Sequence, residues 1–391
     1  MPKSTKNLLA KTANESVAEA MKQINPDVVA AYPITPATEI VQIFSQFVAD
    51  GEVDTEFIPV ESEHSAMSAC VGSAASGART MTATSSQGLA LMFEILNIAS
   101  GLRLPIVMAV ANRALSAPLN IHGDQSDTMG VRDCGWIQIY SETVQESYDN
   151  FIQAVKIAEK AFLPVMVAME GFILTHCMEP LQKEKTEKIK KFVGEPKSLY
   201  SILDQKITVG AADIQEYYME HKKQESEAMS TAKNIINKVG REFKKEFGRS
   251  YDLIEEYKTT DAEVVIVVTG TTAGLIKAAV DEQRAKGKKV GVLRIRVFRP
   301  LPYQEIRKAL TNKKAIAILD KADSYNSFAG PLGSEIRGVL YNNCKANIIN
   351  YVYGLGARDI SFDDVYKVFD ELLKIKQSKK QTFELKYIGV R

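Results

Sequence analysis

The sequence predicts an α/β fold built on parallel sheets, in two units joined by a charged, largely helical segment. Three observations carry this. Up to residue 178, short apolar runs of strand length alternate with amphipathic stretches of helix length. The alternation stops over residues 179–261, which are charged and poorly periodic, and resumes over 262–391. Polar residues capable of chemistry cluster just after the apolar runs, where a parallel sheet presents its ligand-facing loops.

Residues 1–23, MPKSTKNLLAKTANESVAEAMKQ, read as a polar-faced helix and lack the apolar core of a secretory signal. PDVVAAYP is a strand, TEIVQIFSQFVA a helix and EFIPV a short strand. EHSAMSACVGSAASG is a helix of small residues, followed by the strand ARTMTATS and the helix QGLALMFEILNIASGL. LPIVMAVAN is a strand; SYDNFIQAVKIAEKAF is a helix leading into the strand LPVMVAME. The charged segment contains one long helix-like stretch and reads as a solvated link. Beyond it, AEVVIVVTG, KKVGVLRIRVF, KAIAILDKA and ANIINYVYGLG are strands, alternating with the helices TAGLIKAAVDEQRAKG and YQEIRKAL. The result is a second, smaller α/β unit.

The 391 residues suffice for two or three domains with sizeable cores. A formal net charge of +1 gives no electrostatic case for nucleic acid or an anionic membrane surface. The longest apolar runs are of strand length, too short to span a bilayer, and the expected compartment is the cytoplasm. Cys70, Cys134, Cys177 and Cys344 are far apart with no C-x-x-C pair, so the chain alone builds neither a zinc knuckle nor an iron–sulfur cluster. They read as small buried residues of a reducing compartment. His64, His122, His176 and His221 show no metal-binding spacing.

Four loops carry candidate chemistry. In YPITP, Pro33 and Pro36 bracket Thr35; proline fixes φ, and Pro36 also restricts the residue before it, so the hydroxyl is held with little backbone freedom. In VESEH, Glu61 and Glu63 precede a helix. An acidic residue there complements the helix dipole, but a helix of small residues also lets backbone approach and bury a carboxylate for acid–base work. Arg113 follows another strand end and offers a planar fork suited to a carboxylate. Asn120–Asp127, NIHGDQSD, reads as a polar loop and a candidate lid. VVTGTTAG and GLGARD lack the dinucleotide and P-loop fingerprints and read as packing turns. A self-sufficient nucleotide-dependent enzyme is therefore disfavoured.

AAYPITPATEI, VESEHSAMSACVGSAASGARTMTATSSQGLALM, ASGLRLPIVMAVANRALSAPLNIHGDQSD, FILTHCMEPL and YVYGLGARD together resemble one known family over essentially the whole chain. They are similar to the alpha subunits of the 2-oxoacid:ferredoxin oxidoreductases, those acting on pyruvate above all; enzymes of branched-chain 2-oxoacids share nearly the same blocks. The resemblance implies that residues 1–178 form the pyrimidine-side domain for thiamine diphosphate, 179–261 a linker, and 262–391 a domain of transketolase C-terminal type. It implies coenzyme A-dependent oxidative decarboxylation of pyruvate to acetyl-CoA with ferredoxin as electron acceptor. The family's Mg²⁺-holding G-D-G motif is missing here, so a beta subunit would complete the site and hold Mg²⁺. Beta and delta subunits would carry [4Fe-4S] clusters and a gamma subunit would fill out the assembly.

By the same resemblance, Glu63 matches the glutamate that hydrogen-bonds the aminopyrimidine ring, and Pro33 lines the cofactor. Thr35 matches a threonine that touches substrate, and Arg113 an arginine that grips the 2-oxoacid carboxylate. An oxalate-using relative would carry arginine at position 35, so oxalate is disfavoured. A non-catalytic scaffold subunit is the alternative from another class.

Overall fold

The computed structural model describes residues 8–210, 212–378 and 383–391. It begins with β1 (Leu8–Lys11), α1 (Ala13–Ile24), β2 (Val28–Ala31), α2 (Thr38–Ala49) and β3 (Glu56–Pro59). Next come α3 (Glu63–Ala75), β4 (Thr80–Thr84), α4 (Ser86–Leu91), α5 (Phe93–Gly101) and β5 (Val107–Asn112). α6 (Ser126–Gly130), β6 (Ile137–Tyr140), α7 (Val144–Ala161) and β7 (Val165–Glu170) complete the first alternation. β8 (Glu179–Gln182), α8 (Thr186–Val193), α9 (Tyr218–Phe247) and β9 (Ile254–Tyr257) follow. The remainder is β10 (Val264–Val268), α10 (Thr272–Ala285), β11 (Val290–Ile295), β12 (Val297–Arg299) and α11 (Tyr303–Leu310). It closes with β13 (Ala315–Asp320), α12 (Pro331–Leu340), β14 (Asn347–Val352), α13 (Phe362–Ile375) and β15 (Phe383–Tyr387).

Beside the antiparallel pair β1-β8, the strands form a seven-stranded sheet in the order β12-β6-β7-β5-β4-β2-β3 and a six-stranded sheet in the order β15-β14-β13-β10-β11-β9. Pairing is parallel except at one edge of each, where β12 meets β6 and β9 meets β11 antiparallel. Strand alternation divides the apolar side chains between the two faces of each sheet. Val107 and Ala109 join the cluster under α1, α2 and α7, while Met108 and Val110 join the opposite one with Met67, Leu89 and Leu96. In the second sheet Val265 and Val267 face one core and Val264, Ile266 and Val268 the other. Side-chain caps fix the starts of α1, α3, α7 and α13, among them a reciprocal Thr12–Glu15 box on α1 and Ser62 on α3.

Several sequence expectations need correction. The N-terminal helix starts only at Ala13, because residues 8–11 pair with β8 as a strand; residues 1–7 lie outside the described residues. The helix expected over 87–102 is divided at Met92. The strand expected over 288–298 is two strands in two different sheets, separated at Arg296.

The segment expected to be a solvated link is in good part core. Ala232, Ile236, Val239, Phe243 and Phe247 of α9 make a helical stripe buried against the α7 side of the first sheet. Its charges occupy the opposite face, which masks the stripe in composition. Cys70 and Cys134 are buried, but Cys177 is exposed. Among the described residues no helix is long and apolar enough to cross a membrane.

The two units are tied by buried polar contacts. Arg294 of β11 grips Glu146 of α7 with both terminal guanidinium nitrogens, at 2.8 and 2.9 Å. Lys321, just after β13, reaches Glu170 at the end of β7 at 2.6 Å, and both side chains are buried. Thr271 also donates its hydroxyl to Glu170. Gly270 is packed so close that a Cβ there would lie 2.2 Å from the Glu170 carboxylate. VVTGTTAG is thus a docking turn against the first sheet.

Candidate functional site

The C-terminal ends of β2, β3, β4, β5 and β7 all open on one edge of the first sheet, as its parallel pairing requires. The candidate residues stand there. Glu63 is the first residue of α3, after β3, and is only 7 % exposed. Its carboxylate makes no hydrogen bond or ion pair among the described residues.

The start of α4 packs closely against it. A Cβ on Gly88 of α4 would fall 2.6 Å from Glu63 Oε1 and 2.5 Å from Thr84 Oγ1. The Thr84 hydroxyl is itself fully buried without a partner. Two polar groups therefore stand unsatisfied around a position only glycine can occupy. Such a cradle suits a flat, nitrogen-bearing ring that supplies the missing hydrogen bonds. Glu61, by contrast, is turned to solvent, where its bond to Ser65 lowers its pKa.

Thr35 and Arg113 meet directly. Arg113 is 8 % exposed, and its Nη1 donates to the Thr35 carbonyl at 3.0 Å while Nε donates to the Asn120 carbonyl at 3.3 Å. Its Nη2 has no hydrogen bond among the described residues and remains free for an anion. Thr35 is exposed and its hydroxyl is likewise unpaired there. Pro33 is exposed on the same loop.

Pro36 does not begin the helix: α2 starts at Thr38 with Ala37 as its N-cap. Instead the Pro36 ring packs on Gly171, where a Cβ would lie 2.8 Å from Pro36 Cγ and 2.3 Å from the Asn112 carbonyl. The Pro36 carbonyl accepts from Asn14 of α1 at 2.8 Å. The turn carrying Thr35 is thereby held from both sides.

Sequence reasoning missed Gly88, Thr84, Asn112 and Gly171 as parts of this floor. Gly88 lies just after the expected strand ARTMTATS, at the start of the expected helix QGLALMFEILNIASGL, so its position was visible; the need for glycine was not. The Asn120–Asp127 loop is anchored rather than free. Asn120 Nδ2 donates to the Gly356 carbonyl at 3.2 Å, and the Gly356 N–H donates to Asp124 at 3.0 Å. GLGARD is thus a packing turn against that loop.

Two family models match the chain. One, described as "Pyruvate flavodoxin/ferredoxin oxidoreductase, thiamine diP-bdg", covers residues 19–241. The chain belongs to the pyruvate flavodoxin/ferredoxin oxidoreductase family. The other, described as "Pyruvate:ferredoxin oxidoreductase core domain II", covers residues 262–365.

Within this oxidoreductase family, the chain is 50 % identical over 388 residues to pyruvate synthase subunit PorA of Thermotoga maritima, covering 98 % of each. It is 50 % identical over 369 residues to the PorA of Methanocaldococcus jannaschii, covering 93 % of this chain and 94 % of that one. To ketoisovalerate oxidoreductase subunit VorA of Pyrococcus abyssi it is 42 % identical over 384 residues, 97 % of each. A 2-oxoglutarate:ferredoxin oxidoreductase from Magnetococcus marinus, solved with 2-oxoglutarate, coenzyme A and succinyl-CoA, shares the fold with a TM-score of 0.74 at 20 % identity. That alignment covers 95 % of this chain and 66 % of the other. A split-gene transketolase aligns with a TM-score of 0.56 at 12 % identity.

Proposed function

We propose that this chain is the alpha subunit of a pyruvate:ferredoxin oxidoreductase (pyruvate synthase), which converts pyruvate and coenzyme A reversibly to acetyl-CoA and CO₂. The observation that supports pyruvate is the 50 % identity to PorA over 98 % of both chains, against 42 % to VorA. Beta, gamma and delta subunits would supply Mg²⁺, the [4Fe-4S] clusters and the route to ferredoxin, and the complex would work in the cytoplasm.

Thiamine diphosphate, when bound, supplies the electron-accepting centre for decarboxylation. Glu63 would hold its aminopyrimidine, since a buried carboxylate with no partner fits a ring nitrogen that shares a proton with it. Pro33 would line that ring. Gly88 leaves the room the ring edge needs. Arg113 would clamp the 2-oxoacid carboxylate through its free Nη2, its other nitrogens being already fixed on Thr35 and Asn120. The Thr35 hydroxyl would touch the substrate beside it. Because these groups are positioned before substrate arrives, little ordering remains to be done on binding.

The test is substrate profiling of the complex reconstituted with its partner subunits. Pyruvate should give the highest kcat/KM, with coenzyme A required and ferredoxin reduced. A preference for 2-oxoisovalerate would reassign the substrate to the branched-chain class, and activity unchanged on substitution of Glu63 would leave the chain a scaffold.

A further inference from the structure

Asp127 lies at the start of α6, is 2 % exposed and makes no ion pair among the described residues. Four donors converge on it instead. Its Oδ2 accepts the backbone N–H of Ser86 at 3.0 Å and that of Arg113 at 2.9 Å. Its Oδ1 accepts from Asn112 Nδ2 at 2.8 Å and from the Thr128 N–H at 2.7 Å. Ser86 opens α4, the helix that brings Gly88 against Glu63; Arg113 is the residue whose guanidinium meets Thr35. One carboxylate thus holds the loops after β4 and β5 in a fixed relation.

The loop bearing Asp127 is in turn held by the second unit. The Gln125 N–H donates to the Lys321 carbonyl at 2.8 Å, and Thr269 Oγ1 donates to Gln125 Oε1 at 2.6 Å. Gln125 Nε2 reaches Glu170 at 3.2 Å. These contacts run from the strand ends of the second sheet to Asp127 within three residues of chain.

We propose that Asp127 is a positioning residue for the 2-oxoacid clamp, setting Arg113 and α4 in register from a loop that the C-terminal unit anchors through Gln125. The inference rests on the reading of Arg113 as the carboxylate clamp. All four of its partners donate, two to each oxygen, so the position requires a group with only acceptors; an amide in its place turns an N–H₂ toward two of the donors and loses those bonds.

The test uses the assembled complex. Asp127→Asn should raise the KM for pyruvate about tenfold or more, the scale at which small misplacements of a clamp register. In the same protein, amide hydrogen exchange at Ser86 and Arg113 should accelerate, a readout independent of turnover. kcat should change by less than KM, the split expected of a displaced clamp rather than of lost chemistry.

Unchanged KM and exchange in a folded Asp127→Asn complex would overturn the proposal, as would a loss confined to kcat. If Asp127→Asn does not assemble, Thr269→Val carries the test by removing the hydroxyl that fixes Gln125; an unchanged KM there would overturn the anchoring. Arg113→Ala separates the two readings. If it leaves KM unaltered the clamp itself is wrong, whereas a raised KM in Arg113→Ala with none in Asp127→Asn removes only the positioning role.

Discussion

The guanidinium of Arg113 sits 3.0 Å from the backbone carbonyl of Thr35, a residue 78 positions away in the chain. The contact uses Nη1 and leaves Nη2 with no hydrogen bond among the described residues. Arg113→Lys keeps the charge but loses the fork, so the lysine cannot satisfy Thr35, Asn120 and a substrate carboxylate together. KM for the 2-oxoacid should rise about tenfold or more, with a smaller change in kcat, in steady-state assays.

Glu63→Gln keeps the volume but removes the carboxylate that we propose shares a proton with a ring nitrogen. Turnover in the reconstituted complex should fall about a hundredfold or more, the range typical of a lost acid–base group. Thermal midpoint should hardly move, since Glu63 has no hydrogen-bond or ion-pair partner among the described residues to lose. Turnover within a few-fold of the parent would remove Glu63 from the chemistry.

Gly88→Ala adds one methyl where 2.5 and 2.6 Å separate it from Thr84 Oγ1 and Glu63 Oε1. Overpacking of this kind costs about 1–3 kcal/mol, and here it also pushes the carboxylate off its position. Both stability, by denaturant titration, and turnover should fall. Gly72, on the open side of α3, has no atom within 4 Å of its added Cβ and should accept alanine without loss of turnover.

Acid should weaken the clamp before it weakens the fold. Burial raises the Asp127 carboxyl to about 6, with Asp124 adding to the rise and the donors Arg113, Asn112 and Ser86 opposing it. Asp124 on the same loop is the charged group that faces it, and the Tyr140 hydroxyl approaches only through Thr128. A proton on Asp127 removes an acceptor from the Arg113 and Ser86 amides, so KM should climb as pH falls through about 6. The sign for stability is opposite. A carboxyl whose folded pKa is raised favours the folded state at low pH and loses that contribution as pH rises through the folded value. The KM–pH profile should therefore show an acid limb that Asp127→Asn abolishes.

Arg294→Met leaves Glu146 buried against a thioether. Burial alone would raise the Glu146 carboxyl, but Arg294 and Arg296 more than offset it and hold it below the ordinary range. Removing one partner of such a pair costs about 3–5 kcal/mol. Calorimetry should show a lowered midpoint, and the deficit should shrink as pH falls and Glu146 becomes neutral in the variant.

How much of this was visible in the chain depends on whether side chains or backbone carried the information. TEIVQIFSQFVA shows its apolar face plainly and matches α2 residue for residue. The four-residue β6 was passed over, as was the division of VLRIRVF between two sheets, because neither changes the apolar pattern. The stripe on α9 was hidden by charges on its other face. At the site, Thr35, Glu63 and Arg113 stood out as polar residues at strand ends. Gly88 and Asp127 did not, since what each does is defined by a close approach or by main-chain N–H groups more than ten residues distant.

The short strand Val297–Arg299 has a topological outcome. It is emitted by the second unit yet closes the exposed ladder of Ile137–Tyr140 in the first. An amino-terminal fragment ending near residue 261, made without the rest, would therefore lack its border and present a bare row of N–H and C=O groups, a template for adhesion between copies. The two halves are separable on paper but share a seam, and they must be synthesised together to be sound.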